Sequence, residues 1–279
     1  SKQNDLFYLK KDLSLQRIEN QLQNDFIQRK ISDFKDLIEK EICADLPSAF
    51  WERKQHLVDL PYESSFDEKQ IPTKARPIQM NMDLEQHCKN EIKDLEFKGL
   101  IVKSRSPWSC AAFYVNKNSE IERGTLRLVI NYKPLNKALK WIRYPIPNKK
   151  DLLQKLCSAF IFSRFDMKLG FWQIQIHPND RYKTAFTVPF GQYEWTVMPF
   201  GLKNAPSEFQ RIMNDIYNPY SEFCIVYIDD VLIFSQTIDQ YFKHLKTFYF
   251  ATRKAGLALS SSKISLFQIK VRFLGHYIS

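Results

Sequence analysis

Glycine is scarce in this chain, at 7 of 279 residues. No G-x-G-x-x-G and no G-x-x-x-x-G-K-[ST] occurs, which excludes a dinucleotide fingerprint and a P-loop. Any bound triphosphate must therefore be held by metals and cationic side chains. Cysteine is equally uninformative as a framework: Cys43, Cys88, Cys110, Cys157 and Cys224 are odd in number, widely spaced and without a C-x-x-C pair, so reduced buried thiols are expected. His87 and Cys88 are adjacent on a predicted helix and point in different directions, which excludes them as a metal-ligand pair. No apolar run approaches the roughly 20 residues of a membrane-spanning helix. The N-terminal SKQNDLFYLKK lacks the apolar block of a signal peptide, so a soluble, intracellular protein with no membrane partner is expected. Beginning on Ser1 and not on Met, it reads either as a processed piece of a polyprotein or as a segment cut artificially from a longer chain. Repeats, low-complexity tracts and an obvious linker are also missing.

What is present is a globular composition, 44% hydrophobic and 14% aromatic, with 41 Lys and Arg against 31 Asp and Glu. The resulting charge of +10 is spread along the chain, and a polyanion such as nucleic acid is the partner it suits. Residues 12–43 place Leu15, Ile18, Leu22 and Phe26, then Phe34, Leu37 and Ile38, at helical spacing, predicting two amphipathic helices that pack on the rest of the chain. Pro61, Pro72 and Pro77 mark an extended stretch, and residues 83–98 are again helical, stopped by Gly99. Strand-like pieces follow: CAAFYVNK, TLRLVINY, FWQIQIH, TAFTV, YEWTVM, CIVYI and VLIFS, with helices at 148–158, 204–217 and 239–255. Strands and helices that mix without regular βαβ alternation predict an α+β fold with an antiparallel sheet.

CIVYIDDVLIF sets Asp229 and Asp230 inside an apolar run. Asp is a favoured turn residue, so the pair reads equally as a plain hairpin tip or as two carboxylates projecting from the edge of a buried sheet. The second reading describes a site for a hard divalent cation, because Mg²⁺ takes oxygen ligands from one or two carboxylates and fills the rest with water and phosphate. Asp166, after the apolar AFIFSRF, offers a third carboxylate at a strand end. Three carboxylates on neighbouring strands suit a two-metal phosphoryl transfer. Lys117 and Arg127 flank a polar turn between two strands, either as triphosphate contacts or as ordinary surface charges.

The ordered blocks SPWSCAAFYVNK, RLVINYKPLN, RFDMKLGFWQI, MPFGLKNAP, YIDD, GLALSSSK and FLGH resemble the reverse transcriptases of caulimovirus-type plant pararetroviruses and gypsy-type retrotransposons. The resemblance runs from about Leu60 to the final residues. It implies a right-hand polymerase: a helical N-terminal extension at 1–60, fingers at 61–140 and 174–204, and a palm at 141–173 and 205–279 whose antiparallel sheet is flanked by helices. The thumb and ribonuclease H domain that follow FLGH in the family are not expected before Ser279. By position, Asp166, Asp229 and Asp230 match the metal-binding aspartates, with the carbonyl of Met167 as a further ligand. Two Mg²⁺ ions are implied, Mn²⁺ being a possible substitute. Lys117 and Arg127 match the grip on the incoming deoxynucleoside triphosphate, and Phe171 matches the aromatic that clashes with a ribose 2′-hydroxyl. Phe200 stands where lentiviral enzymes carry a nucleotide-contacting glutamine, next to Gly201. Lys263 matches the lysine that protonates the leaving pyrophosphate. Pro107, Pro206 and the FLGH residues Phe273, Leu274, Gly275 and His276 match template-primer contacts.

The function implied is RNA- and DNA-templated DNA synthesis on RNA/DNA and DNA/DNA template-primers, turning viral pregenomic RNA into DNA in the host cytoplasm in association with the virion. A ribonuclease H domain is the expected neighbour in the full polyprotein. Two other readings are an RNA-templated RNA polymerase, which Phe171 opposes, and a non-catalytic nucleic-acid-binding or assembly fragment, which the three aspartates oppose.

Overall fold

The computed structural model describes residues 2–43, 56–116, 126–167 and 169–278. The chain divides into two compact units, one from Ser1–Phe50, Pro145–Lys168 and Gln210–Ser279, the other from Trp51–Tyr144 and Leu169–Phe209.

The first unit is built on a four-stranded antiparallel sheet in the order Ser265–Gln268, Ile161–Asp166, Asp230–Ser235, Cys224–Tyr227. Its two central strands are covered on both faces, which explains why IFSRF and VLIFS read as near-continuous apolar runs and not as alternating ones. On one face Phe162, Ile225, Leu232 and Phe234 join Leu152, Leu156, Val271 and Phe273 in an apolar cluster. On the other lies the helix Ile238–Ala255, whose Phe248 stacks on Phe165 with ring centroids 4.5 Å apart. Thr237 caps this helix by accepting from the Gln240 amide, and Gly256 ends it at a φ of 67°. Tyr241 from the same helix meets the Ser163 hydroxyl inside the sheet.

The N-terminal helices are longer than the spacing predicts, Lys2–Leu22 and Asp25–Glu41. The second packs within this unit. Ile38 and Ile42 are fully buried, and the Leu259 amide donates to the Ile42 carbonyl at 2.8 Å. Residues 1–50 belong to the same compact unit as the sheet. The first helix buries only Ile18 and leaves Leu6, Phe7, Leu9 and Leu13 exposed.

The second unit carries a five-stranded sheet in the order Ile101–Lys103, Gly191–Trp195, Phe186–Val188, Cys110–Asn116, Leu126–Ile130. Cys110–Asn116 and Phe186–Val188 run parallel, as do His56–Val58 and Ile174–Ile176, so antiparallel pairing is not universal. Strands this far apart in sequence are free of the hairpin constraint that imposes antiparallel order. The helix Met82–Phe97 starts at Asn81, which accepts from the Leu84 amide, and stops before Gly99 at a φ of 71°. Cys157 departs from the expected burial of the thiols, being exposed while the other four are buried.

FWQIQIH is only partly a strand. Gly170–Gln173 forms a 3-10 turn and pairing is confined to Ile174–Ile176. Leu169 takes a left-handed φ of 49°, and a Cβ on Gly170 would stand 2.8 Å from the Phe209 ring, so close approach overrides the alternating pattern. The same packing keeps residues 169–173 in the second unit. The helix expected at 148–158 closes at Gln154 and continues as turns.

Candidate active site

The register of the first sheet puts Asp166 directly opposite Asp230, and Asp230 opposite Tyr227. Asp166 is the last residue of its strand and Asp230 the first of the next. Their side chains share the face that next carries Leu232 opposite Arg164 and then Phe234 opposite Phe162, where Leu232, Phe234 and Phe162 join the apolar cluster. Asp229 sits at the exposed tip of the hairpin joining Cys224–Tyr227 to Asp230–Ser235. Its carbonyl accepts from the Met167 amide at 2.9 Å, so the tip is fastened to the end of the Asp166 strand. The Ser260 amide, in turn, donates to the Asp166 carbonyl at 2.8 Å.

The hairpin turn is strained. Ile228 has a φ of 54°, left-handed and disfavoured for a β-branched side chain, although the first central position of a type II′ turn calls for it. Gln210, fully buried, clamps the turn: its Oε1 accepts from the Ile228 amide at 2.5 Å while its amide donates to Asn214 at 3.0 Å and reaches the Val226 carbonyl at 3.4 Å.

The electrostatics are those of crowded carboxylates beside two cations. Burial and then the neighbouring Asp230 push Asp166 well above the usual carboxylate range, against the pull of Arg164 and Lys263. Asp229 is raised as well, by desolvation around the turn and by Asp230. Lys263, from the 3-10 turn Ser261–Lys263, brings its Nζ to 3.6 Å from Asp166 Oδ2, and Arg164 stands 3.2 Å from Asp230 and 3.6 Å from Asp166. Among the described residues no group of three or more His, Cys, Asp or Glu side chains already converges at metal-holding distance. The donor chemistry nevertheless suits a hard cation. Asp166 Oδ1 is buried with no hydrogen-bond partner, and a divalent ion would both satisfy it and relieve the repulsion that raises these carboxyls. Asp166, Asp229, Asp230 and the Met167 backbone are the available ligands.

A second group gathers in the other unit. Phe200 has the Arg127 guanidinium 5.3 Å from its ring centroid and the Phe171 ring at 5.3 Å. Phe171 also meets Phe209 edge-on at 5.8 Å. Arg127, Phe200 and Gly201 line a cavity of 270 Å³ with Trp172, Trp195 and Glu91. Gly201 has a φ of 98°, and its carbonyl accepts from Asn136 at 2.9 Å. Pro107 is exposed, and Pro206 is half-buried in the first turn of the helix Ala205–Tyr217. Lys117 lies outside the described residues. Of FLGH, Phe273 is fully buried in the apolar cluster and offers no surface to a ligand; Leu274 and Gly275, at φ of 53° and 81°, form the turn, with Gly275 and His276 exposed.

Residues 115–278 match the family described as reverse transcriptase (RNA-dependent DNA polymerase). The chain belongs to the reverse transcriptase family. It is 44% identical over 254 residues to the genome polyprotein of Petunia vein clearing virus (isolate Shepherd), covering 88% of this chain and 12% of that one. It is 39% identical over 249 residues to the enzymatic polyprotein of Cauliflower mosaic virus (strain Strasbourg), covering 89% of this chain and 36% of that one. This reverse transcriptase chain thus spans a minor part of the polyproteins it matches. Its fold is that of the foamy viral protease-reverse transcriptase, solved in complex with dsDNA (TM-score 0.76) and with RNA/DNA hybrid (TM-score 0.72). Identity is 23% in both, over 94% of this chain and 54% and 35% of those chains. The expected α+β class with fingers and palm is therefore the observed one.

Two residues of this reverse transcriptase site escaped motif reasoning, Gln210 and Arg164. Gln210 falls within an ordinary amphipathic helix, where a fully buried glutamine could have been noticed only from its place on the apolar face. Arg164 opens the block RFDMKLGFWQI, but the motif assigned it no role, and a charge inside an apolar strand was its one other signal.

Proposed function

We propose that this chain extends a primer 3′-hydroxyl with deoxynucleoside triphosphates on RNA and DNA templates, using Asp166, Asp229 and Asp230 to hold two Mg²⁺ ions, for which Mn²⁺ can substitute. The observation that carries the reading is the cross-strand pairing of Asp166 with Asp230, with the fastened Asp229 tip beside them and an unpartnered buried oxygen on Asp166. When bound, divalent cations acidify the attacking hydroxyl and neutralise charge on the triphosphate and the departing pyrophosphate. The chain's own residues do the remainder. The hairpin and the Asp166 strand end keep the carboxylates fixed, so little reorganisation is needed when ligands arrive. Lys263, largely exposed and 3.6 Å from Asp166, is the residue that would hand a proton to the leaving pyrophosphate.

In the second unit Arg127 and Lys117 contact the triphosphate, and Phe171 excludes a ribose 2′-hydroxyl. Phe200 offers an aromatic face where a polar contact would otherwise be, and its ring holds the Arg127 guanidinium. Gly201 lets the nucleotide approach the backbone. Pro107, Pro206, Gly275 and His276 contact the template-primer. A ribonuclease H domain elsewhere in the polyprotein would remove the copied RNA.

Primer extension on matched RNA and DNA templates with Mg²⁺, beside an Asp229→Asn control and a duplex-binding assay, tests this. Extension on both templates is expected, lost in Asp229→Asn with template-primer affinity kept within a few-fold. Extension by Asp229→Asn at the wild-type rate would overturn the metal assignment.

A further inference from the structure

Arg164 has no part in the chemistry above, yet it occupies a singular position. It lies two residues before Asp166 on the same strand and the same face. Its Nη2 stands 3.2 Å from Asp230 Oδ1 and 3.6 Å from Asp166 Oδ1. From the same guanidinium, Nη1 donates to the backbone carbonyl of Arg272 at 3.1 Å. Arg272 is the middle residue of the strand Val271–Phe273, which pairs with His276–Ile278 across the Leu274–Gly275 turn. One planar fork therefore joins the carboxylates to the hairpin that carries FLGH.

The hairpin's other attachment is apolar, through Val271 and Phe273 in the core cluster. Burial of this kind is non-directional and leaves the angle of a short hairpin loosely set. A guanidinium hydrogen bond to a backbone carbonyl is directional and fixes it. Lysine carries the charge but presents no second rigid arm. The pose is held although Arg164 Nε is buried without a partner, a desolvation penalty that a freely chosen surface rotamer would avoid.

We propose that Arg164 is a positioning residue that ties the hairpin Val271–Ile278 to the aspartate pair, setting where a primer 3′ end stands relative to the site of phosphoryl transfer. The proposal rests on the reading of Gly275 and His276 as primer contacts. In Arg164→Gln the fork and the charge are removed and a shorter polar side chain remains; in Arg164→Lys the charge stays and the second arm goes.

Amide hydrogen exchange on the free protein and steady-state primer extension decide it together. In both variants, amides of 271–278 should lose protection while those of 224–235 keep theirs. The apparent KM for template-primer should rise about tenfold in Arg164→Gln, as expected for one lost charged hydrogen bond, with the KM for deoxynucleotide changed by no more than about twofold. Arg164→Lys should fall between, because it retains the charge. If Arg164→Gln does not fold, as judged by circular dichroism, Arg164→Lys carries the same comparison. Unchanged protection of 271–278, or a KM increase confined to the deoxynucleotide, would overturn the proposal. Loosened hairpin amides with an unchanged template-primer KM would leave the tie in place but remove the primer from that hairpin. Extension by the Asp229→Asn control would instead overturn the metal assignment and leave the tie standing.

Discussion

Replacing Gln210 by Leu should damage the catalytic turn more than its distance in sequence from Asp229 suggests. The side chain is fully buried and its Oε1 accepts the Ile228 amide hydrogen at 2.5 Å. Leucine matches the volume roughly but leaves that amide without a partner, and an unsatisfied buried donor costs about 1–3 kcal/mol. The bonds to Asn214 and the Val226 carbonyl are longer, and strand pairing already engages Val226, so they add at most about 1 kcal/mol. A loss of roughly 1–4 kcal/mol in unfolding free energy follows. The strained φ of Ile228, worth about 1–3 kcal/mol of local strain, then loses its side-chain clamp and relaxes by shifting Asp229, whose carbonyl keeps only its bond from the Met167 amide. Such a displacement, of the order of 1 Å, lowers turnover by about 100-fold. Urea unfolding monitored by circular dichroism gives the first quantity and single-turnover primer extension the second. Stability within about 0.5 kcal/mol of wild type together with wild-type turnover would refute the clamp.

Gly170→Ala places a methyl 2.8 Å from the Cζ of the fully buried Phe209 ring, which has no flexible end to yield, and overpacking of this kind lowers stability by about 1–3 kcal/mol; a melting curve unchanged within error would contradict it. Phe171→Ala opens the side of the aromatic group that meets Phe200 and should raise ribonucleotide incorporation relative to deoxynucleotide, read by paired extension assays. His244, bonded through Nδ1 to Ser235 at 2.6 Å and stacked on Phe223, has its pKa lowered by burial, so the folded state takes up its proton later than the unfolded chain does. Its contribution is complete above the unfolded value of about 6.5 and is lost as pH falls below it; unfolding free energy should drop more steeply between about pH 6.5 and 5 in wild type than in His244→Gln. Equal slopes would remove His244 as the cause.

VLIFS, central in the first sheet, and CIVYI, at its edge, were legible because buried strands carry apolar runs and turn residues bound them, so both stand close to where they were read. Asp166 was legible as a strand end, but its partnership with Asp230 depends on register across distant strands, which no local pattern encodes. FWQIQIH misled because its alternation is genuine while the close approach of Gly170 to Phe209, which overrides it, is invisible in a run of letters. The burial of Phe273 was equally invisible: the motif names the residue, and the fold places its side chain in the core. Arg164 stands in RFDMKLGFWQI, but its role was not legible because one of its partners is a backbone carbonyl, which every residue owns.

The strand Ile161–Asp166 lies between Asp230–Ser235 on one side and Ser265–Gln268 on the other. Both neighbours follow it in the chain, after the whole of Leu169–Phe209, which belongs to the other unit. During synthesis from the N-terminus this strand therefore emerges with two bare edges, and the first can be covered only once the YIDD hairpin has been made. The second waits for the Ser265–Gln268 segment. A nascent or shortened chain that carries Asp166 but lacks that last strand exposes an apolar edge able to pair with any other such chain. The order of translation thus delays the carboxylate pair until the hairpin is made and makes premature truncation an aggregation hazard.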